Sequence, residues 1–234
     1  MNTATDQASR LLGELAALLR GLPGSAAPLA NTLRVQAMGH ETFGRTDALD
    51  LFARHPLVLS ATPHVLAGLD ALAVMDVTPE GRTVGVFADV VDGVLARLWV
   101  AGPVAEDAAT EAAVPVASDD FLTQDRTVCA GDPQDHPQLA AQAWPEVQAS
   151  AAEALNRLRE PAAASSSQAL VVRAFSSGDA FAALYTLRVQ STSTPRHAHR
   201  RWALAVSRIG ADGALLHRRT TVSEPWPVPA LVFF

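Results

Sequence analysis

The sequence predicts an α+β protein built as two repeated units, each an N-terminal helix packed on a curved antiparallel four-stranded sheet. Three observations carry this reading. The chain is self-similar at a spacing of 132 residues: Thr62–Val90 lies without a gap on Thr194–Val222, and Asp47-Ala48 falls on Asp179-Ala180 at the same shift. Each half opens with a helix-periodic apolar stretch. After that helix, each half continues as a series of alternating apolar and polar runs separated by turn residues, the pattern of half-buried strands.

In the first half, Leu11, Leu12, Leu15, Leu18 and Leu19 recur at the i, i+3, i+4, i+7 spacing of one helix face. TLRVQAM (32–38) alternates as a strand does. The segment GRTDALDLFARHP carries two conflicting signals. Read locally it is a short helix, capped by Thr46 and stopped by Pro56. Read through the repeat, residues 46–55 match the strand-like GDAFAALYTLRV, and strand is the expectation adopted. ALAVMDV and RTVGVFADVV then flank Thr78-Pro79-Glu80-Gly81, with proline and glycine at positions that suit a tight turn. VLARLWVAG (94–102) is a further strand, with PALVFF at the chain's end as its nearest counterpart.

In the second half, Pro145 suits a helix's first turn. Val147, Ala151, Ala154, Leu155 and Leu158 follow on one face before Pro161 ends the helix. ALVVRAF (169–175) corresponds to TLRVQAM, and WALAVSRI and ALLHRRTTV form a hairpin around Gly210-Ala211-Asp212-Gly213. The expected organisation is a first unit over 1–105, an acidic connector over 106–135 that contains Pro115 and Pro133, and a second unit over 136–234.

Composition removes several chemistries. All 18 basic residues are arginine. Without lysine there is no Schiff base to pyridoxal phosphate, no P-loop lysine and no kinase phosphate-binding lysine. Cys129 is the single cysteine, so an intramolecular disulfide and a Cys-x-x-Cys site are excluded. It lies between Asp125 and Asp132, whose negative charge disfavours a thiolate. No Gly-x-Ser-x-Gly elbow or Gly-x-Gly-x-x-Gly loop occurs, and His40-Glu41 lacks the second histidine of a zincin motif, that position being Gly44. The first residues lack the positive charge of a signal peptide. No run approaches the roughly 18 apolar residues of a membrane span, so a cytoplasmic location without membrane attachment is expected. Residues 1–135 hold 18 acids and 8 arginines, a net −10; residues 136–234 hold 6 acids and 10 arginines, a net +4. Mutual neutralisation of the halves is the expected use of this asymmetry. The arginines of 188–219 alternate along strands and face water, which speaks against nucleic acid.

A helix wrapped by a curved antiparallel sheet resembles the cystatin-like α+β folds, and in particular the nuclear transport factor 2-like superfamily with its polyketide-cyclase-like and dehydratase members. The strand patterns ALYTLRV and RRWALAVSRIGADGALLHRR carry the likeness, which covers about two-thirds of the chain and includes no diagnostic catalytic motif. It implies pairing of units sheet to sheet. A tandem repeat would make that pair within one chain, as a monomeric pseudo-dimer, or assemble further as a homodimer. Small acidic secretion-chaperone-like proteins offer a second resemblance, with partner segments as their cargo.

Candidate site residues emerge from the strand reading. If residue 209 pairs with 214, His217 stands opposite Val206 and shares a face with Trp202 and Leu204. These three would line an apolar pocket between helix and sheet, with His217 as the candidate acid or base. Asp76, Asp89 and Asp92 are its candidate carboxylate partners. His197 and His199 share one strand face, but Arg196, Arg200 and Arg201 flank them. Clustered cations repel a divalent metal and favour an anion, so Arg196, His197, His199 and Arg200 form a candidate anion-binding group, and no metal or cofactor is expected. Trp99, Trp144, Trp202 and Trp226 are assigned to core or interface, and the apolar tail EPWPVPALVFF to docking. The leading expectation is a non-catalytic protein that binds an apolar small molecule. The alternatives are a dehydratase, cyclase or isomerase, and a chaperone-like interaction module.

Overall fold

The computed structural model describes residues 3–22, 29–38, 40–79, 81–105, 126–130, 132–157, 165–191, 198–212, 214–223 and 226–227. Helix α1 (Thr3–Leu19) is followed by β1 (Leu29–Ala37), β2 (His40–Phe43), α2 (Arg45–Arg54), β3 (His64–Ala67), β4 (Ala71–Val77), β5 (Arg82–Val91) and β6 (Val94–Ala105). The second half comprises β7 (Arg126–Ala130), two short 3-10 turns at Pro133–Asp135 and Ala141–Ala143, α3 (Trp144–Asn156), β8 (Ser165–Ser177), β9 (Ala180–Ser191), β10 (Ala198–Ile209), β11 (Leu215–Val222) and β12 (Trp226–Pro227). Leu158, Pro161 and the tail from 228 onward lie outside the described residues.

The architecture is α+β, with helices over two mixed sheets. The first sheet runs β2-β1-β6-β5-β4-β3. The second runs β11-β10-β9-β8-β7, with β12 joined to β10. Two four-stranded antiparallel sheets are therefore not what forms. Each sheet has six strands, and each contains one parallel pair, β1 with β6 and β7 with β8. Strand β7 comes from the end of the stretch expected to be connector; pairing with β8 supplies its hydrogen bonds.

The sequence repeat coincides with one hairpin in each sheet, β4–β5 and β10–β11. At the turn the registers agree: Val77 pairs with Thr83, and Ile209 with Leu215, the residues 132 further on. Beyond the turn the second hairpin slips by one at a bulge between Arg208 and Ile209. The surroundings also differ. In the first sheet β5 is paired on its far side by β6, whereas β11 ends its sheet's order. Residues 45–54 are helix α2, not strand, while their counterparts lie in β9. The local pattern prevails because Ala48, Leu51 and Phe52 fall on one helical face and are all buried. Thr46 does not cap this helix; Gly44 occupies the N-cap position without a side-chain bond.

Packing forms four layers, with helices outside and the two sheets inside. Between the first sheet and α1 and α2 lies a core that includes Leu15, Leu18, Leu19, Leu33 and Phe52, all fully buried. Gly21 closes α1 at φ +67; a Cβ there would meet the Ala53 backbone at 2.4 Å, so only glycine lets the two helices approach this closely. On the outer face of the second sheet, α3 buries Val147, Ala151, Ala154 and Leu155 against Ala183, Tyr185, Ala203 and Ala205. The Tyr185 hydroxyl donates to the Val147 carbonyl at 2.9 Å and meets the Ser150 hydroxyl at 2.7 Å, so its burial leaves no polar atom stranded. Arg218 of β11 ties the same helix down through Glu146 and Glu153.

A third apolar core joins the two sheets face to face. Leu66, Ala71, Ala73, Met75, Phe87, Trp99 and Ala101 of the first meet Phe175, Ala180, Ala182, Leu184, Trp202, Leu204 and Val206 of the second. Phe87 stands edge-on to Phe175 at 5.8 Å, and Trp99 lies 6.0 Å from Trp202. This explains why β4 is apolar along nearly its whole length. Its odd positions enter the layer between sheets and its even positions the layer beneath the helices.

Gly85 sits at the point of closest approach, where a Cβ would stand 2.5 Å from Thr221 Cγ2 and 3.0 Å from Leu204 Cδ2. Gly85→Val is expected to lower unfolding free energy by about 1–3 kcal/mol through overpacking between the sheets. Urea denaturation measures it, and an unchanged midpoint would show the sheets able to part at no cost.

Candidate functional site

The seam between the sheets carries a polar cluster at one end. Arg173 of β8 bridges two carboxylates of the first half: Asp70 at 3.0 Å and Asp89 at 3.2 Å. Gln138 Nε2 donates to Asp70 Oδ1 at 2.8 Å. A bulge places the arginine there. Val171 still pairs with Tyr185 on the helix side, but after the bulge Arg173 pairs with Leu184, which faces the other sheet. A regular strand would keep residues 171 and 173 on one face. Burial pushes the Asp89 carboxyl above the usual aspartate range, with Arg173 and Arg97 opposing and Asp70 reinforcing the shift.

His136 completes this end. It is buried, stacks on Trp144 at 6.1 Å, and its pKa is depressed chiefly by burial and also by Arg173, against the opposite pull of Asp135. A cavity of about 30 Å³ lies among Asp70, Phe87, His136, Gln138, Arg173 and Phe175. That is room for about one water molecule. A raised carboxyl can hold a proton nearer neutrality than a surface aspartate, but here Arg173 occupies it and the space admits no substrate. The cluster acts as a clamp that aligns the sheets.

A larger opening lies at the outer end of the second sheet. A groove of about 680 Å³ is lined by Gln142, Gly178, Asp179, Ile209, Gly210, Ala211, Asp212 and Leu216. Ile209 and Leu216 give it apolar walls; Leu216 is 63% exposed. Asp179 accepts from Arg208 Nε at 3.0 Å and is held below its usual pKa by that bond, while Asp212 Oδ1 accepts from the Ala214 amide at 3.0 Å.

The residues expected to line one pocket are separated. Trp202 and Leu204 are buried in the layer between sheets, whereas His217 is exposed and stands opposite Arg208, not Val206. The expected pairing of 209 with 214 is instead 209 with 215, and the bulge adds a further slip. The space between the helices and the first sheet is filled by leucines and by Phe52. Of the expected carboxylate partners, Asp76 accepts from the Ser60 amide at 2.5 Å, the Ser60 hydroxyl at 2.7 Å and the Val77 amide at 2.8 Å, which fastens the loop before β3. Asp92 forms the β5–β6 turn at φ 51. Arg196 and His197 lie outside the described residues, and the side chains of His199, Arg200, Cys129 and Trp226 do so as well. Among the described residues no group of three potential metal ligands occurs, and no helix is long and apolar enough to cross a membrane. Arg173, Gln138 and His136 are not singled out by the sequence pattern. The available signal is an arginine inside the apolar run ALVVRAF.

Replacing Arg173 with Met is expected to cost about 1–2 kcal/mol, less than a fully buried pair because the arginine is 36% exposed. Adding Asp89→Asn should recover part of the loss, and equal stability of the single and double variants would remove the clamp. His136 also sets a pH dependence. Its folded pKa is depressed, so its contribution to stability is present above the ordinary value of about 6.5 and lost as pH falls through the lower folded value. The urea midpoint should fall from pH 7 to pH 5, with a shallower slope in His136→Gln; His64, also depressed by burial, supplies the slope that remains.

Comparison with known proteins finds no matching family model and no matching curated protein. A solved structure described as a "putative ketosteroid isomerase" from Kribbella flavida is similar, with 25% sequence identity over 41% of this chain and 76% of that one and a TM-score of 0.34.

Proposed function

We propose that this chain is a non-catalytic binding protein for a small amphipathic molecule, and that the ligand occupies the groove at the outer end of the second sheet. The observation that carries this reading is the groove's size and lining: about 680 Å³, with Ile209 and Leu216 as apolar walls and Gln142, Asp179 and Asp212 at its margins. Small-molecule sites commonly measure about 300–1,000 Å³ and combine apolar walls with a few placed polar groups. The two carboxylates here accept hydrogen bonds, which favours a ligand bearing hydroxyl or amino donors on an apolar body. We read the pairing of the two sheets as the chain's internal substitute for a dimer, so the working species is the single chain.

A thermal-shift screen of amphipathic alcohols and amines tests the reading. A ligand at 100 times its Kd is expected to add about 2.7 kcal/mol. Leu216→Arg, an exposed position, should remove that stabilisation while leaving the unliganded transition unchanged. A hit that stabilises wild type and Leu216→Arg equally, or the absence of any hit, would overturn the groove as the site.

A further inference from the structure

A second, chemically distinct cluster lies at another corner of the seam. Four side chains from three strands meet there: His64 of β3, Arg208 of β10, and His217 and Arg219 of β11. Register places them on one side. Arg208 pairs with His217, and Val206, which faces the other sheet, pairs with Arg219. Residues 206 and 208, and residues 217 and 219, are two apart, so all four positions of this ladder share the face turned toward the first sheet. From that sheet, His64 pairs with Met75, which also faces the seam. Beyond the apolar layer, the gap between the sheets is thus lined by two arginines and two imidazoles.

The mutual influence of these groups fits the geometry. The His64 imidazole is depressed first by burial and then by His217, Arg219 and Arg208. Among the described residues, the carboxylate bound to this group is Asp179, which reaches Arg208 from the β8–β9 turn. The charged form of His64 is therefore disfavoured, in a position where a negative ligand would oppose that bias. An arriving dianion adds an attraction for the His64 imidazolium, so that imidazole gains proton affinity.

We propose that this corner is a phosphate-binding site, in which Arg219 and Arg208 supply permanent charge, His64 takes up a proton on binding, and His217 lends a ring N–H as a further donor. The required ligand is a phosphoryl dianion, either free phosphate or a phosphomonoester. With Arg208 already shared with Asp179, a dianion matches Arg219 and the proton taken up by His64, and a divalent metal is repelled by the arginines. Linkage makes the binding pH-dependent. Each dianion bound draws a proton onto His64, so affinity for the dianion rises as pH falls from about 7.5 toward about 6.5.

The test is a histidine-resonance NMR titration of the full chain with inorganic phosphate and, separately, glycerol 2-phosphate, with sodium chloride at equal ionic strength as reference. The expected result is saturable movement of the His64 and His217 signals and an upward shift of the His64 apparent pKa. Arg219→Gln should weaken binding roughly tenfold and Arg219→Lys less. Both substitutions lie at an exposed strand position. Tighter binding of glycerol 2-phosphate assigns the site to organic phosphomonoesters; tighter binding of inorganic phosphate assigns it to the free ion. Movement no greater than with chloride, or equal affinity in wild type and Arg219→Gln, would overturn the proposal. Loss of the pH dependence in His64→Asn with affinity at pH 7.5 retained would support the imidazole's role.

Discussion

The apolar layer between the two sheets is the constraint on which the rest of this structure depends. Each sheet has helices on one face only, so a sheet standing alone would leave Phe87, Trp99, Phe175 and Trp202 in water. Face-to-face packing removes these rings from solvent, and burial of a large apolar side chain is worth about 1.5–3 kcal/mol. Because both faces of the central strands are then covered, the middle of β4 (71–75) and of β10 (202–206) carries apolar residues on both sides. Aspartate at 76 and serine at 207 are the buried exceptions among the described residues of these strands, each near its strand's outer end. Asp76 is tolerated because three donors surround it.

Polar groups enter the seam where regular strand geometry breaks. The bulge before Arg173 turns its guanidinium from the helix side to the facing sheet, where Asp70 and Asp89 meet it. The bulge at Arg208 and Ile209 sets His217 opposite Arg208 instead of Leu216. One residue added on one strand exchanges the faces of everything beyond it. The same device therefore builds an ionic clamp at one corner and a cluster of arginines and histidines at another, while the aromatic layer fills the space between. Clamp and layer reinforce one another, since the ionic contacts gain strength where the packed rings exclude water.

This division also separates the chemistry from the core. The space under the helices of the first sheet is occupied by leucines and by Phe52, and the groove lies instead at the second sheet's end, where the turns Gly178-Asp179 and Gly210–Asp212 open beside Leu216. Asp179 links the groove to the basic corner, because the carboxylate that borders one holds Arg208 of the other.

The helix faces of α1 and α3, the β4–β5 and β10–β11 hairpins and the α+β class were legible in the chain, because spacing of apolar residues and turn chemistry act locally. Leu11, Leu15, Leu18 and Leu19, and Val147, Ala151, Ala154 and Leu155, are buried as their periodicity requires. Helix α2 was legible too, in its own Ala48, Leu51 and Phe52, and was obscured only by weighting the repeat above the local pattern. Tertiary structure alone decided the remainder. Strand order, the parallel pairs β1–β6 and β7–β8, and the bulges before Arg173 and at Arg208 depend on partners distant in sequence, and no local propensity encodes them. So it was with the site residues. His217 and Trp202 share a face in the expected hairpin, but where each lies along the seam depends on register. A slip of two residues, one at the turn and one at the bulge, moved His217 from Val206 to Arg208 and left it exposed, with the tryptophan inside against Trp99.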